Sequence, residues 1–143
     1  MRPSATGNEW AFPPPDADTP WQTQTLREGG NDRTITTDLK TGLITLSITD
    51  DFGKVQDADH GLINGSIARE VWTIHPDDPL SARGSAHWSD EIERDDIRLR
   101  TETYGEMWSD QTTFYLSARL EAYENDRLIF EKDLSDSIPR KNL

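Results

Sequence analysis

Thr113-Phe114-Tyr115-Leu116-Ser117-Ala118-Arg119-Leu120-Glu121-Ala122-Tyr123 is the stretch whose reading decides the fold. Phe114, Leu116, Ala118, Leu120 and Ala122 fall on one side of a two-residue period, and Tyr115, Ser117, Arg119, Glu121 and Tyr123 on the other. Side chains of a strand alternate between its faces, so this pattern is a β-strand with one apolar and one polar face. Glu124-Asn125-Asp126-Arg127 follows, polar and turn-prone, and Leu128-Ile129-Phe130-Glu131-Lys132 opens a second apolar run. The two runs read as a β-hairpin, with Phe114, Leu116, Leu120 and Phe130 expected to be buried together.

Outward from this hairpin, strands are expected at Gln22 to Arg27, Arg33 to Asp38, Leu43 to Thr49, Ser66 to His75, Ala82 to Ser89, Asp96 to Glu106, Thr112 to Glu124 and Leu128 to Leu134. Glu28-Gly29-Gly30-Asn31-Asp32, Lys40-Thr41-Gly42, Asp50-Asp51-Phe52-Gly53 and Asn64-Gly65 supply turn residues between them. His75-Pro76-Asp77-Asp78-Pro79 breaks the ladder through its prolines, and Val55 to Ile63 offers one short turn of helix. Short strands in series predict an all-β antiparallel fold, a strongly curved sheet or barrel, with a β-sandwich as the second choice. Arg98, Arg100 and Glu102 share one strand face, and Arg119 and Glu121 one face of the next. Opposite charges are therefore expected to pair across that hairpin, as a surface ladder or as a polar barrel interior.

Residues 1–21 hold five of the eight prolines, including Pro13-Pro14-Pro15, and read as an extended arm or linker before a β-domain over 22–143. Trp10, Phe12 and Trp21 are costly to leave in water, so the arm is expected to lie against something apolar. With the stiff corner of His75, Asp77 and Asp78, these aromatics are the interface candidates.

A formal net charge of −12 opposes binding to phosphate backbones and anionic lipid, so neither nucleic acid nor a membrane is an expected partner. The absence of cysteine excludes disulfide frameworks, thiolate metal sites and cysteine nucleophiles. No apolar stretch has the length of a signal segment or a membrane span, and a cytoplasmic protein is expected.

Catalytic chemistry finds no set of residues. Gly84-Ser85-Ala86-His87-Trp88 lacks the glycine spacing of a nucleophile elbow and sits in a strand pattern, with Ser85 and His87 on one face. His60, His75 and His87 lie too far apart for a zinc motif. Asp57-Ala58-Asp59 opens like a calcium loop but has Ala68 where the twelfth-position Glu belongs. No catalytic residue, metal ligand or cofactor is assigned.

His75-Pro76-Asp77-Asp78-Pro79-Leu80-Ser81-Ala82-Arg83, Arg98-Leu99-Arg100-Thr101-Glu102-Thr103, Ala118-Arg119-Leu120-Glu121-Ala122-Tyr123-Glu124 and Ser137-Ile138-Pro139-Arg140 form an ordered series of blocks. Across roughly Arg33 to Leu143 this series resembles the C-terminal end of CocE/NonD-type hydrolases, relatives of cocaine esterase and X-prolyl dipeptidyl peptidases. The resemblance implies an accessory β-domain without turnover of its own, packed on an upstream α/β-hydrolase domain that carries a Ser-His-Asp triad. It implies that residues 1–21 link to that domain; a homodimer is a further possible partner. A free-standing β-barrel module for a small apolar ligand is the second expectation.

Overall fold

The structure is a computed structural model and describes residues 14–16 and 18–141. Among the described residues eight antiparallel strands make up the fold: β1 (Thr23–Arg27), β2 (Gly30–Thr37), β3 (Ile44–Asp57), β4 (Ile63–His75), β5 (Asp78–Arg94), β6 (Ile97–Ser109), β7 (Thr113–Glu124) and β8 (Arg127–Pro139). Consecutive strands from β3 to β8 pair as a meander, while β1 and β2 share the outer edge of β3, one after the other. The sheet does not close on itself. The all-β expectation holds, and of its alternatives the closed barrel gives way to an open sheet. Among the described residues no helix is long and apolar enough to cross a membrane.

The strands outrun their sequence signals. Ala82 to Ser89 is the middle of a seventeen-residue strand that begins at Asp78, so Pro79 lies inside β5, beside a register shift, and only Pro76-Asp77 turns the chain. Asp50 to Gly53 is not a turn but a bulge within β3, where the register to β4 slips between Asp51 and Lys54. Gly53 makes the bulge possible. Its φ is +81°, and a Cβ there would stand 2.9 Å from the Arg27 carbonyl oxygen. The expected helical turn at Val55 to Ile63 shrinks to one i→i+4 bond, from the Gly61 amide to the Asp57 carbonyl oxygen at 3.0 Å; β3 runs on to Asp57, and Asn64-Gly65, expected as a turn, pairs with Val55 and Lys54 inside β4. Local propensity there yields to the ladder hydrogen bonds of two long neighbours.

The hairpin that decided the fold is present. Asn125 and Asp126 take φ of 49° and 65°, the left-handed pair that a two-residue loop needs to match strand twist.

Register gives the sheet two unlike faces. Ile44, Leu46, Trp72, Ile74, Ala86, Trp88, Met107, Phe114, Leu116, Ala118, Leu120, Phe130, Leu134 and Ile138 share one of them. Thr45, Arg69, His87, Glu91, Arg100, Glu102, Arg119, Glu121 and Glu131 share the other. The expected facing of Phe114, Leu116, Leu120 and Phe130 is therefore right, but their burial is not: Leu116 is 36% and Phe130 48% exposed. Ala68 is the one buried apolar residue among those described. A sheet buries its apolar face only against a second layer, and the described chain supplies just one layer.

Candidate functional site: the uncovered apolar face

At the middle of the apolar face the side chains are small. Ala86, Gly105 and Ala118 stand side by side on β5, β6 and β7, with Leu134 of β8 beyond them. In the adjacent row Gly84, Met107 and Leu116 are neighbours, and the Trp72 ring lies over Gly84. Small residues in strand interiors bring the floor down to the backbone. The result is an open hollow of about 590 Å³ lined by Trp72, Ala86, Gly105, Met107, Leu116 and Leu134. Trp72 and Met107 separate it from a second hollow of about 390 Å³, walled by Ile44, Leu46, Ile74 and Phe114. Trp72 is fixed by its indole N–H, which donates to Glu70 Oε2 at 3.0 Å. Its apolar ring is left 43% exposed, beside Met107 at 42% and Leu134 at 49%.

The polar face is laced by charge. Lys54 Nζ donates to Glu91 at 2.7 Å and to Glu93 at 2.5 Å; the bond to Glu91, then that to Glu93, holds the ammonium above its usual pKa. The same bond from Lys54 holds Glu91 below the carboxylate range. Glu102, buried, accepts from Ser89 Oγ at 3.1 Å and from Arg100, and meets His87 Nε2 at 2.7 Å. The His87 ring stacks on Tyr104, with centroids 4.4 Å apart and planes 4° from parallel.

The expected cross-hairpin charge pairing is corrected by register. Glu102 stands directly opposite Glu121, so Arg100 turns to Glu102 and Arg119 to Glu121 along their own strands, and Arg119 also bonds Glu131 on β8 at 2.8 Å. Among the described residues no hydroxyl hydrogen-bonds the His87 ring, and Ser85, on the same face, is not joined to it. The carboxylate–imidazole pair ties β5 to β6.

Of the interface candidates, Trp10 and Phe12 lie outside the described residues. Trp21 is 63% exposed, and its indole N–H donates to Asp57 at the far end of β3. His75 closes β4 with its Nε2 2.8 Å from the Thr41 carbonyl oxygen, and its Nδ1 accepts from the Asp77 amide at 3.3 Å. Asp78 Oδ1 accepts from the Leu80 amide at 3.0 Å. His75, Asp77 and Asp78 thus form one corner, beside the β2–β3 loop. Because β4 runs antiparallel to β3 with Ile74 opposite Ile44, Trp21 sits at the other end of the sheet. Among the described residues the structure does not join Trp21 to this corner.

Sequence reasoning missed Trp72, Gly105, Met107 and Leu134. Their signal was available: glycine inside two strand patterns, at Gly84 and Gly105, marks a close approach over the backbone. No protein-family model, curated protein or solved structure matches this chain.

Proposed function

We propose that the chain is a non-catalytic accessory β-domain whose apolar face packs on a second layer of protein, the upstream hydrolase domain of a CocE/NonD-type enzyme. The observation that carries the packing is the uncovered apolar face: Trp72, Trp88, Met107, Phe130, Leu134 and Ile138 are all at least 39% exposed on one side of the sheet. An apolar surface of this breadth on a soluble domain marks an interaction site. The hydrolase assignment rests on the sequence blocks alone.

The test mixes the chain with a triad-bearing domain of that hydrolase type. A complex is expected in sedimentation, with loss of apolar-dye binding; Met107→Glu and Leu116→Glu abolish it while Arg119→Ala does not. No complex, or equal loss from both faces, refutes the reading. The 590 Å³ hollow favours a second reading, a site for a small apolar ligand. A ligand that raises the melting temperature of the isolated chain, in a manner lost in Leu116→Glu, selects it.

A further inference from the structure

Strand β8 is the last strand of the sheet, exposed at every position, and among the described residues nothing pairs with its outer edge. Such an edge is a template for another strand. The direction of its backbone groups follows from one bond. The Arg140 amide donates to the Thr112 carbonyl oxygen at 2.7 Å, and the register is unbroken from Pro139 back to Phe130. Antiparallel pairs alternate between hydrogen-bonded and non-hydrogen-bonded, so Ile138, Asp136, Leu134, Lys132 and Phe130 turn their backbone groups to β7. Glu131, Asp133, Ser135 and Ser137 turn theirs outward.

We propose that this edge pairs with the same edge of a second copy of the chain, antiparallel, about a two-fold axis at Leu134. In this register Lys132 faces Asp136 of the second copy, Phe130 faces Ile138, and Leu134 faces itself, all on the apolar side. On the polar side Asp133 faces Ser135 and Glu131 faces Ser137, joined through the outward amides and carbonyls. Opposite charges meet, apolar residues meet, and no two like charges are directly opposed.

Neighbouring registers lack this match. An axis at Lys132 sets Lys132 against itself and Glu131 against Asp133, and one at Asp133 sets Asp133 against itself and Phe130 against Asp136. An axis at Ser135 sets Leu134 against Asp136, and one at Asp136 sets that carboxylate against its own copy. The alternation of β8 specifies one pairing, as a strand with unlike faces does. The pairing extends both faces without covering either, so it stands apart from the accessory reading.

Sedimentation velocity over a concentration series tests it. The unmodified chain is expected to dimerise reversibly. Lys132→Asp alone and Asp136→Lys alone each weaken the dimer by at least about tenfold, since each sets like charges together twice. An equimolar mixture of the two variants restores it, which also shows that both are folded. Ser135→Pro removes an outward amide without breaking a bond to β7 and leaves a monomer. The chain has no cysteine, so Leu134→Cys provides a second readout. Facing non-hydrogen-bonded residues stand about 4.5 Å apart at Cα, within disulfide reach, and the variant cross-links to its own copy on mild oxidation. A chain that stays monomeric overturns the proposal. So does a dimer indifferent to the charge exchange and to Ser135→Pro, the behaviour of two apolar faces stacked together.

Discussion

Trp72 lies across Gly84 of the neighbouring strand so closely that a methyl group on Gly84 would stand 2.6 Å from Cζ3 of the indole. The pair joins β4 to β5 and sets the rim of the larger hollow. Gly84→Ala is expected to drive the ring off its site and cost about 1–3 kcal/mol in denaturant unfolding, the range for overpacking. In a Trp72→Leu background the same substitution costs less than about 1 kcal/mol, because the facing ring is gone. Additive effects in the double-mutant cycle count against this contact.

Lys54 answers two carboxylates from the far side of β4, and its side chain is 20% exposed. Lys54→Met leaves Glu91 and Glu93 together without the ammonium that bonds them both and is expected to cost about 1–2 kcal/mol at pH 7. The pH dependence has a definite sign. Glu91 is lowered in the fold, so its contribution is complete above its ordinary value of 4.5 and fades as pH falls through the lowered one. Lys54 is raised, so its contribution is complete below 10.5 and is lost as pH rises through the higher value. The difference in melting temperature between the unmodified chain and Lys54→Met should therefore be flat near neutrality and narrow at both extremes.

What the sequence disclosed, and what it hid, follows from range. The Tyr115/Leu116 alternation and the Asn125-Asp126 turn are local, so the hairpin and its facing were legible. The bulge at Phe52-Gly53 reads locally as a turn; only Arg27, Gly29 and the whole length of β4 make it a bulge. Pro79 reads as a breaker but falls beside an irregularity where the β4–β5 ladder already lapses. The apolar face was legible as a face, yet a period of two does not say whether a second layer covers it. Trp72 and Gly84 are twelve residues apart in sequence, and nothing local couples them.

The Asn125-Asp126 loop holds two non-glycine residues at positive φ. Asp126→Gly removes the steric cost at φ 65° and gives up an exposed ion pair with Arg98. An exposed pair contributes about 0–1 kcal/mol and glycine at a positive φ recovers about as much, so the substitution is expected to be neutral or stabilising by up to about 1 kcal/mol. Asn125→Ala is expected to destabilise, because it also removes the 2.8 Å bond from the Arg98 amide to Asn125 Oδ1. Denaturant midpoints in the reverse order count against the loop geometry.

Asp57 ends β3 by gathering three elements. One carboxylate oxygen accepts from the Asp59 and His60 amides at 2.8 and 3.0 Å, and the other accepts from the Trp21 indole and lies 3.4 Å from His60 Nε2. The indole bond first, then the His60 amide, lowers its pKa below the ordinary 3.8. A carboxylate lowered in the fold stabilises above its unfolded pKa and loses that contribution as pH falls through the folded one. Asp57→Asn keeps an acceptor oxygen for the turn amides and is expected to lower the melting temperature less than Asp57→Ala. Relative to the unmodified chain, the Asn variant should show its deficit at neutral pH and lose it as pH falls below the ordinary 3.8 and through the lowered value. Trp21→Phe should remove part of the same acid dependence, since it deletes the largest contributor. A Trp21→Phe profile parallel to that of the unmodified chain would place the anchor of residue 21 somewhere other than Asp57.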